Sequence, residues 1–68
     1  MKNRIKELRA AGDLTQAELA EIISVSSRTI ISLEKGQYNP SVLLAHKLSL
    51  VFECQIEEVF LFGKEDGI

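Results

Sequence analysis

The segment from Ser26 to Lys35 sorts its side chains into two sets. Ile30 and Leu33, three residues apart, mark one face of a helix; Ser27, Arg28, Ile31, Ser32 and Lys35 fall outside it. A helix divided in this way packs by its apolar stripe and leaves small polar and basic groups bare. The chemistry open to such a face is hydrogen bonding. Serine hydroxyls can bond base edges, and a guanidinium can bond the O6 and N7 acceptors of guanine in bidentate fashion. Ile31 is apolar at an outward position, which suits a thymine methyl, a protein contact or a lone surface hydrophobe. Bond-making chemistry has little to work with. The single histidine and single cysteine, His46 and Cys54, are too few for a zinc cluster and show no partner for nucleophilic catalysis. His46 reads as partly solvated or dimer-facing, and Cys54 as a small hydrophobe. No Gly-rich phosphate loop is present. The expectation is a protein with no catalytic residues, metal, cofactor or small-molecule ligand.

A bare polar helix needs other helices to hold it. Thr15 is a good N-cap, with Glu18 at the capping-box spacing, and Leu19, Ala20 and Ile23 then recur as a helix face. Ser24, Val25 and Ser26 interrupt, Ser26 caps the next helix, and Gly36 ends it. Before this pair, residues from about Asn3 to Ala11 read as a helix with Ile5 and Leu8 on one side. Gly12 is expected to supply the left-handed residue that closes it. After the pair, 35–40 reads as a loop, with Asn39 held extended by Pro40. Ser41 caps a fourth helix carrying Leu44, Ala45, Leu48, Val51 and Phe52 inward. A short fifth helix at about Ile56 to Phe60 buries Ile56, Val59 and Phe60. Nothing alternates with a period of two, so no sheet is expected. Five short helices with short loops imply an all-α, compact orthogonal bundle. At 68 residues the chain is expected to be one domain, with its helix-turn-helix core at about 15–35 and a frayed tail at about 63–68.

A 46% apolar content is enough for a core and argues against disorder. The net charge of −2 is unfavourable for a partner as anionic as nucleic acid, but its distribution matters more. Lys2, Arg4, Lys6 and Arg9 against Glu7 give residues 1–12 a charge of +3; residues 53–68, with Glu53, Glu57, Glu58, Glu65 and Asp66 against Lys64, carry −4. The chain is dipolar, and the acidic end reads as solvated surface. A lone thiol, a charged N-terminus without a signal-like apolar run, and no apolar stretch long enough for a bilayer imply an intracellular, reducing, cytoplasmic location away from membranes.

The spacing from Leu14-Thr15-Gln16 through Glu18-Leu19-Ala20, Val25-Ser26, Thr29-Ile30 and Glu34-Lys35-Gly36 to Asn39-Pro40 resembles the phage repressor and Cro type of helix-turn-helix domain, the xenobiotic-response-element family. The resemblance runs from about Asn3 to Phe60 and implies a lambda-repressor-like fold that docks on double-stranded DNA. It assigns base contacts to Ser27, Arg28, Ile31 and Ser32. Phosphate contacts go to Gln16, Lys35, Tyr38 and Asn39. Gln16, at the start of the second helix, is placed where free N–H groups favour an anion, or is simply a solvated first-turn residue. Tyr38 contacts phosphate or covers the loop. Arg4 and Lys6 are placed to add weaker phosphate contacts, although for Lys6 a solvated helix face is the expected explanation. Arg9 and Glu34 are implied to form a largely buried ion pair that never touches DNA.

Three positions depart from the family pattern. Ser24 stands where the turn usually has glycine, Glu53 where a small residue follows the fourth helix, and Gln55 where a Ser or Thr cap opens the fifth. Leu43 and Leu50 lie outside the inward stripe of the fourth helix, and Leu61 and Phe62 follow the fifth. A chain this small cannot bury them all, and a bare apolar patch marks a partner surface. The resemblance implies a homodimer through the C-terminal region, here Leu50, Leu61 and Phe62. The reading that results is a sequence-specific transcriptional regulator, a repressor at a palindromic operator. The alternative is a protein-interaction module of the same fold, an antitoxin or coactivator-like adaptor.

Overall fold

Three of the helices begin where a hydroxyl closes their first turn. In the computed structural model, which describes residues 1–63, Thr15, Ser26 and Ser41 each accept the N–H of the residue three positions on, at 3.0, 3.2 and 3.1 Å. Glu18 returns the bond to the Thr15 N–H at 2.8 Å, completing a capping box. Hydrogen bonds with the Thr15 backbone and side chain hold the Glu18 carboxyl below the usual carboxylate range. These caps open α2 (Gln16–Ile22), α3 (Ser27–Glu34) and α4 (Val42–Val51), which follow α1 (Ile5–Ala11) and precede α5 (Ile56–Val59). Gln55 makes no side-chain cap to α5, which runs only four residues.

The helices α1 to α4 end alike. Leu14, Val25, Gln37 and Cys54 each send a backbone N–H back five residues, to Arg9, Ala20, Ser32 and Ser49. This is the Schellman closure, and it needs a left-handed residue just before each donor. Asp13, Ser24, Gly36 and Glu53 fill that position, with φ of 57°, 60°, 74° and 52°. The left-handed residue after α1 is therefore Asp13 and not Gly12, whose φ is −93°. Gly12 still lies within the hydrogen-bonded turn, donating to Leu8 and Arg9. Leu14, Val25 and Cys54 then fold back against the core.

That core gathers Ile5, Leu19, Ala20, Ile23, Ile30, Leu33, Leu44, Ala45, Leu48, Val59 and Phe60. It draws on all five helices. Val51 and Phe52 are only half-buried, and Ser49 is buried instead, its hydroxyl donating to the His46 carbonyl at 2.6 Å.

Both ends of the bundle depart from the expected absence of sheet. Lys2–Asn3 forms β1 and Phe60–Leu61 forms β2, an antiparallel pair in register Lys2 with Leu61 and Asn3 with Phe60. Two residues are too few to show an alternating pattern, so periodicity could not reveal them. The pairing removes Asn3 from α1 and Phe60 from α5. Asn3 nonetheless serves α1, its Oδ1 accepting the Ile5 N–H at 3.1 Å in place of a cap from Arg4. The expected frayed tail falls mostly on 64–68, outside the described residues.

Candidate nucleic-acid interface

The site is built on α3, and Ile30 and Leu33, both fully buried, fix how it is rolled. With those two inward, Ser27, Arg28 and Ile31 are exposed and Ser32 is half-buried. No acidic residue occupies the first turn of α3, and among the described residues Arg28 and Lys35 take part in no ion pair. The face thus offers an uncommitted guanidinium, two serines and an isoleucine whose exposure is 37%. Lys35, Tyr38 and Asn39 follow α3 in exposed positions. The Ser26 and Thr29 hydroxyls lie 3.0 Å apart, so Thr29 joins the helix cap and not the open face.

Arg9 and Glu34 meet in a part-buried pair. Arg9 Nε donates to Glu34 Oε2 at 2.7 Å, with side-chain exposures of 15% and 7%. Arg9 also donates to the Leu14 carbonyl at 2.9 Å, tying α1 to the entrance of α2. Gln16 is not a freely solvated side chain. It is half-buried, and its Nε2 donates to Glu34 Oε1 at 3.0 Å. Arg4 is engaged elsewhere, with Glu7 at 2.6 Å, while Lys6 is exposed.

Three features escaped the sequence reading. Asn3 Nδ2 donates to the Leu33 carbonyl at 2.6 Å, tying β1 to the last turn of α3. The Met1 nitrogen donates to the Gly36 carbonyl at 2.9 Å. Lys2 lines a cleft with Lys35 at the same end of α3. These residues lie about thirty or more positions from their partners, and no local pattern marks them. Leu50, Leu61 and Phe62 are exposed, as are Leu43 and Val42, the last at 84%, and Leu61 lines the same cleft as Lys2 and Lys35. Phe62 shares a groove of about 220 Å³ with Val42, Pro40 and Phe60, whereas Leu50 lines a separate one with Cys54 and Glu58. Val42 was legible as an apolar residue directly after the Ser41 cap and off the inward stripe. Burial, and to a lesser degree Glu58, pushes the Cys54 thiol up, away from the reactive thiolate. Among the described residues no group of three or more His, Cys, Asp or Glu could hold a metal, and no helix is long and apolar enough to cross a membrane.

Comparison with known proteins gives the same outline. A helix-turn-helix family model matches residues 5–59. The chain is 50% identical over 66 residues to an uncharacterized HTH-type transcriptional regulator of Archaeoglobus fulgidus, covering 97% of this chain and 93% of that one. It is 33% identical over 57 residues to the cryptic phage CTXphi transcriptional repressor RstR of Vibrio cholerae, covering 84% of this chain and 51% of that protein. The crystal structure of the restriction-modification controller protein C.AhdI from Aeromonas hydrophila superposes with a TM-score of 0.75 at 32% identity, over 84% of this chain and 86% of that one.

Proposed function

The chain belongs to the helix-turn-helix family of transcriptional regulators, and from that premise we propose that it is a dimeric repressor that lays α3 in the major groove of a palindromic operator. The observation that carries this reading is the bare face of α3: Ser27, Arg28 and Ile31 are exposed on a helix whose opposite side is locked into the core. Arg28 is the base-reading residue, with Ser27, Ile31 and Ser32 beside it. Gln16, Lys35, Tyr38 and Asn39 hold the flanking phosphates. Leu50, Leu61 and Phe62 supply the dimer contact, joined by Val42 and Leu43. A two-fold dimer sets two recognition helices about 34 Å apart, one turn of duplex. It acts in the cytoplasm, at operators in the nucleoid, by denying polymerase the site.

Selection of bound sequences from a random DNA pool tests this. The expected result is a palindromic consensus bound more weakly as salt rises. Arg28→Ala is expected to relax preference at one base pair per half-site, at a cost of about 1–3 kcal/mol. A mutant that keeps full preference removes Arg28 from the base edge. Binding that is absent at all salt concentrations favours the second reading, a protein-interaction module, which the exposed apolar side chains from Val42 to Phe62 support.

A further inference from the structure

The Arg9–Glu34 pair does more than join α1 to α3, because its carboxylate has a second partner. Glu34 Oε2 accepts from Arg9 Nε at 2.7 Å, and Oε1 accepts from Gln16 Nε2 at 3.0 Å and, at the longer distance of 3.5 Å, from Arg9 Nη2. Arg9 is anchored in turn on the Leu14 carbonyl. This chain of bonds links α1, α3 and the first turn of α2, and at its centre the Glu34 side chain is 7% exposed.

The chemistry of the carboxylate fixes the orientation of the amide. An ionised carboxylate only accepts hydrogen bonds. The atom of Gln16 facing it must be the nitrogen, and the amide oxygen must face away. The two ends of a glutamine amide look alike in outline, but here the partner decides between them. Gln16 therefore offers its surroundings one carbonyl oxygen and one remaining N–H in a fixed plane. An unheld glutamine would have to lose several rotamers before making the same contact.

We propose that Glu34 is a positioning residue for DNA recognition, holding the Gln16 amide in a single pose at the edge of the surface presented by α3. The proposal rests on the DNA-binding reading and adds to it. Glu34 never touches the duplex and acts through Gln16. In Glu34→Gln one oxygen remains to accept from Arg9 Nε and only the long Arg9 Nη2 contact is lost on that side, but the new amide nitrogen faces Gln16, and two donors cannot bond. Gln16 must then turn over or swing free.

The test is a double-mutant cycle in the full chain, read as affinity for a duplex carrying the selected consensus, at a temperature where thermal melts show every variant folded. Gln16→Ala and Glu34→Gln are each expected to weaken binding about tenfold, the scale of one hydrogen bond to a charged group. In the Gln16→Ala background, Glu34→Gln is expected to add less than about twofold, because the residue it positions is gone. Equal losses from Glu34→Gln in both backgrounds overturn the proposal, as does no loss in either. A wild-type protein that binds no duplex at all fails the functional reading itself, which is a different result. Should Glu34→Gln not fold, the side-chain amide signal of Gln16 in the nitrogen-correlated NMR spectrum of the free wild-type protein decides. Gln37 and Gln55, both exposed, serve as references. A Gln16 signal displaced from theirs and shielded from solvent exchange upholds the bond, and one that coincides with theirs removes it.

Discussion

The two ends of α3 are held in different ways. At its N-terminus one local device suffices: Ser26 Oγ accepts the Thr29 N–H, and the hydroxyl of Thr29 leans on the same oxygen. At its C-terminus the bonds come from afar. Asn3 reaches the Leu33 carbonyl, the Met1 nitrogen reaches that of Gly36, and Glu34 holds Arg9 and Gln16. One end is capped and the other is moored. The mooring falls where β1, α1 and α2 converge, leaving the half with Ser27 and Arg28 projecting. In helix-turn-helix docking it is the N-terminal part of the recognition helix that meets base edges, so the arrangement leaves projecting the half to which the proposed base contacts Ser27 and Arg28 belong.

The mooring can be broken most severely at Glu34. Replacing it with alanine leaves the Arg9 guanidinium, 15% exposed, without its carboxylate. Loss of one partner from a buried pair costs about 3–5 kcal/mol. For a domain of this size each kcal/mol lowers the melting temperature by about 4–8 °C, so Glu34→Ala is expected to be largely unfolded at ordinary temperatures. A melting curve superimposable on wild type would show that the moored end needs no ion pair.

Gly36 comes next, and it separates two reasons for having a glycine. Four helices close with a left-handed residue, yet only one of the four positions is glycine. Asp13, Ser24 and Glu53 are exposed, and their strain, about 1–2 kcal/mol for a left-handed L-residue, is tolerated. At Gly36 space is also lacking, because a Cβ would lie 3.0 Å from the Met1 carbonyl oxygen. Gly36→Ala is expected to lose about 2 kcal/mol, combining that strain with displacement of Met1 from the end of α3. Denaturant melts read the loss, and amide exchange at Leu33 and Gly36 locates it. A loss below about 1 kcal/mol would mean that the strand yields without disturbing the helix.

The contrast between the ends is also a contrast in what a sequence can reveal. Ser26, Thr15 and Ser41 act on residues three positions away, and each cap was legible as a type at a spacing. The inward faces of α2 and α3 were legible as period. The ion pair came only through resemblance to a family, since nothing in the local pattern links positions 9 and 34. Asn3 falls within the helix that periodicity predicts, and its place in the structure depends on pairing with Phe60, across nearly the whole chain. The strand pair is two residues deep, below the length at which alternation carries information. Gln16 was assigned to DNA by analogy, but its bond to Glu34 spans eighteen positions and requires the turn to be folded first. Local bonding is written locally, and mooring emerges only when the elements meet.

The smallest expected effect bears most directly on the reading face. Ser26→Ala removes the cap from α3, and Ser41→Ala removes an equivalent one from α4, where Ser41 Oγ accepts the Leu44 N–H at 3.1 Å. Each is expected to cost about 1 kcal/mol in stability, the usual value for a lost hydroxyl cap. The two should differ in affinity for the operator. The first turn of α3 holds Ser27 and Arg28 and has no long-range hydrogen bond among the described residues, so without its cap it is expected to fray where the proposed base contacts lie. The first turn of α4 carries none of the assigned DNA contacts. Ser26→Ala is therefore expected to weaken operator binding several-fold at a temperature where both proteins are folded, while Ser41→Ala leaves it near wild type. Equal weakening by the two would mean that affinity follows global stability, and that the capped end of α3 holds its shape without its cap.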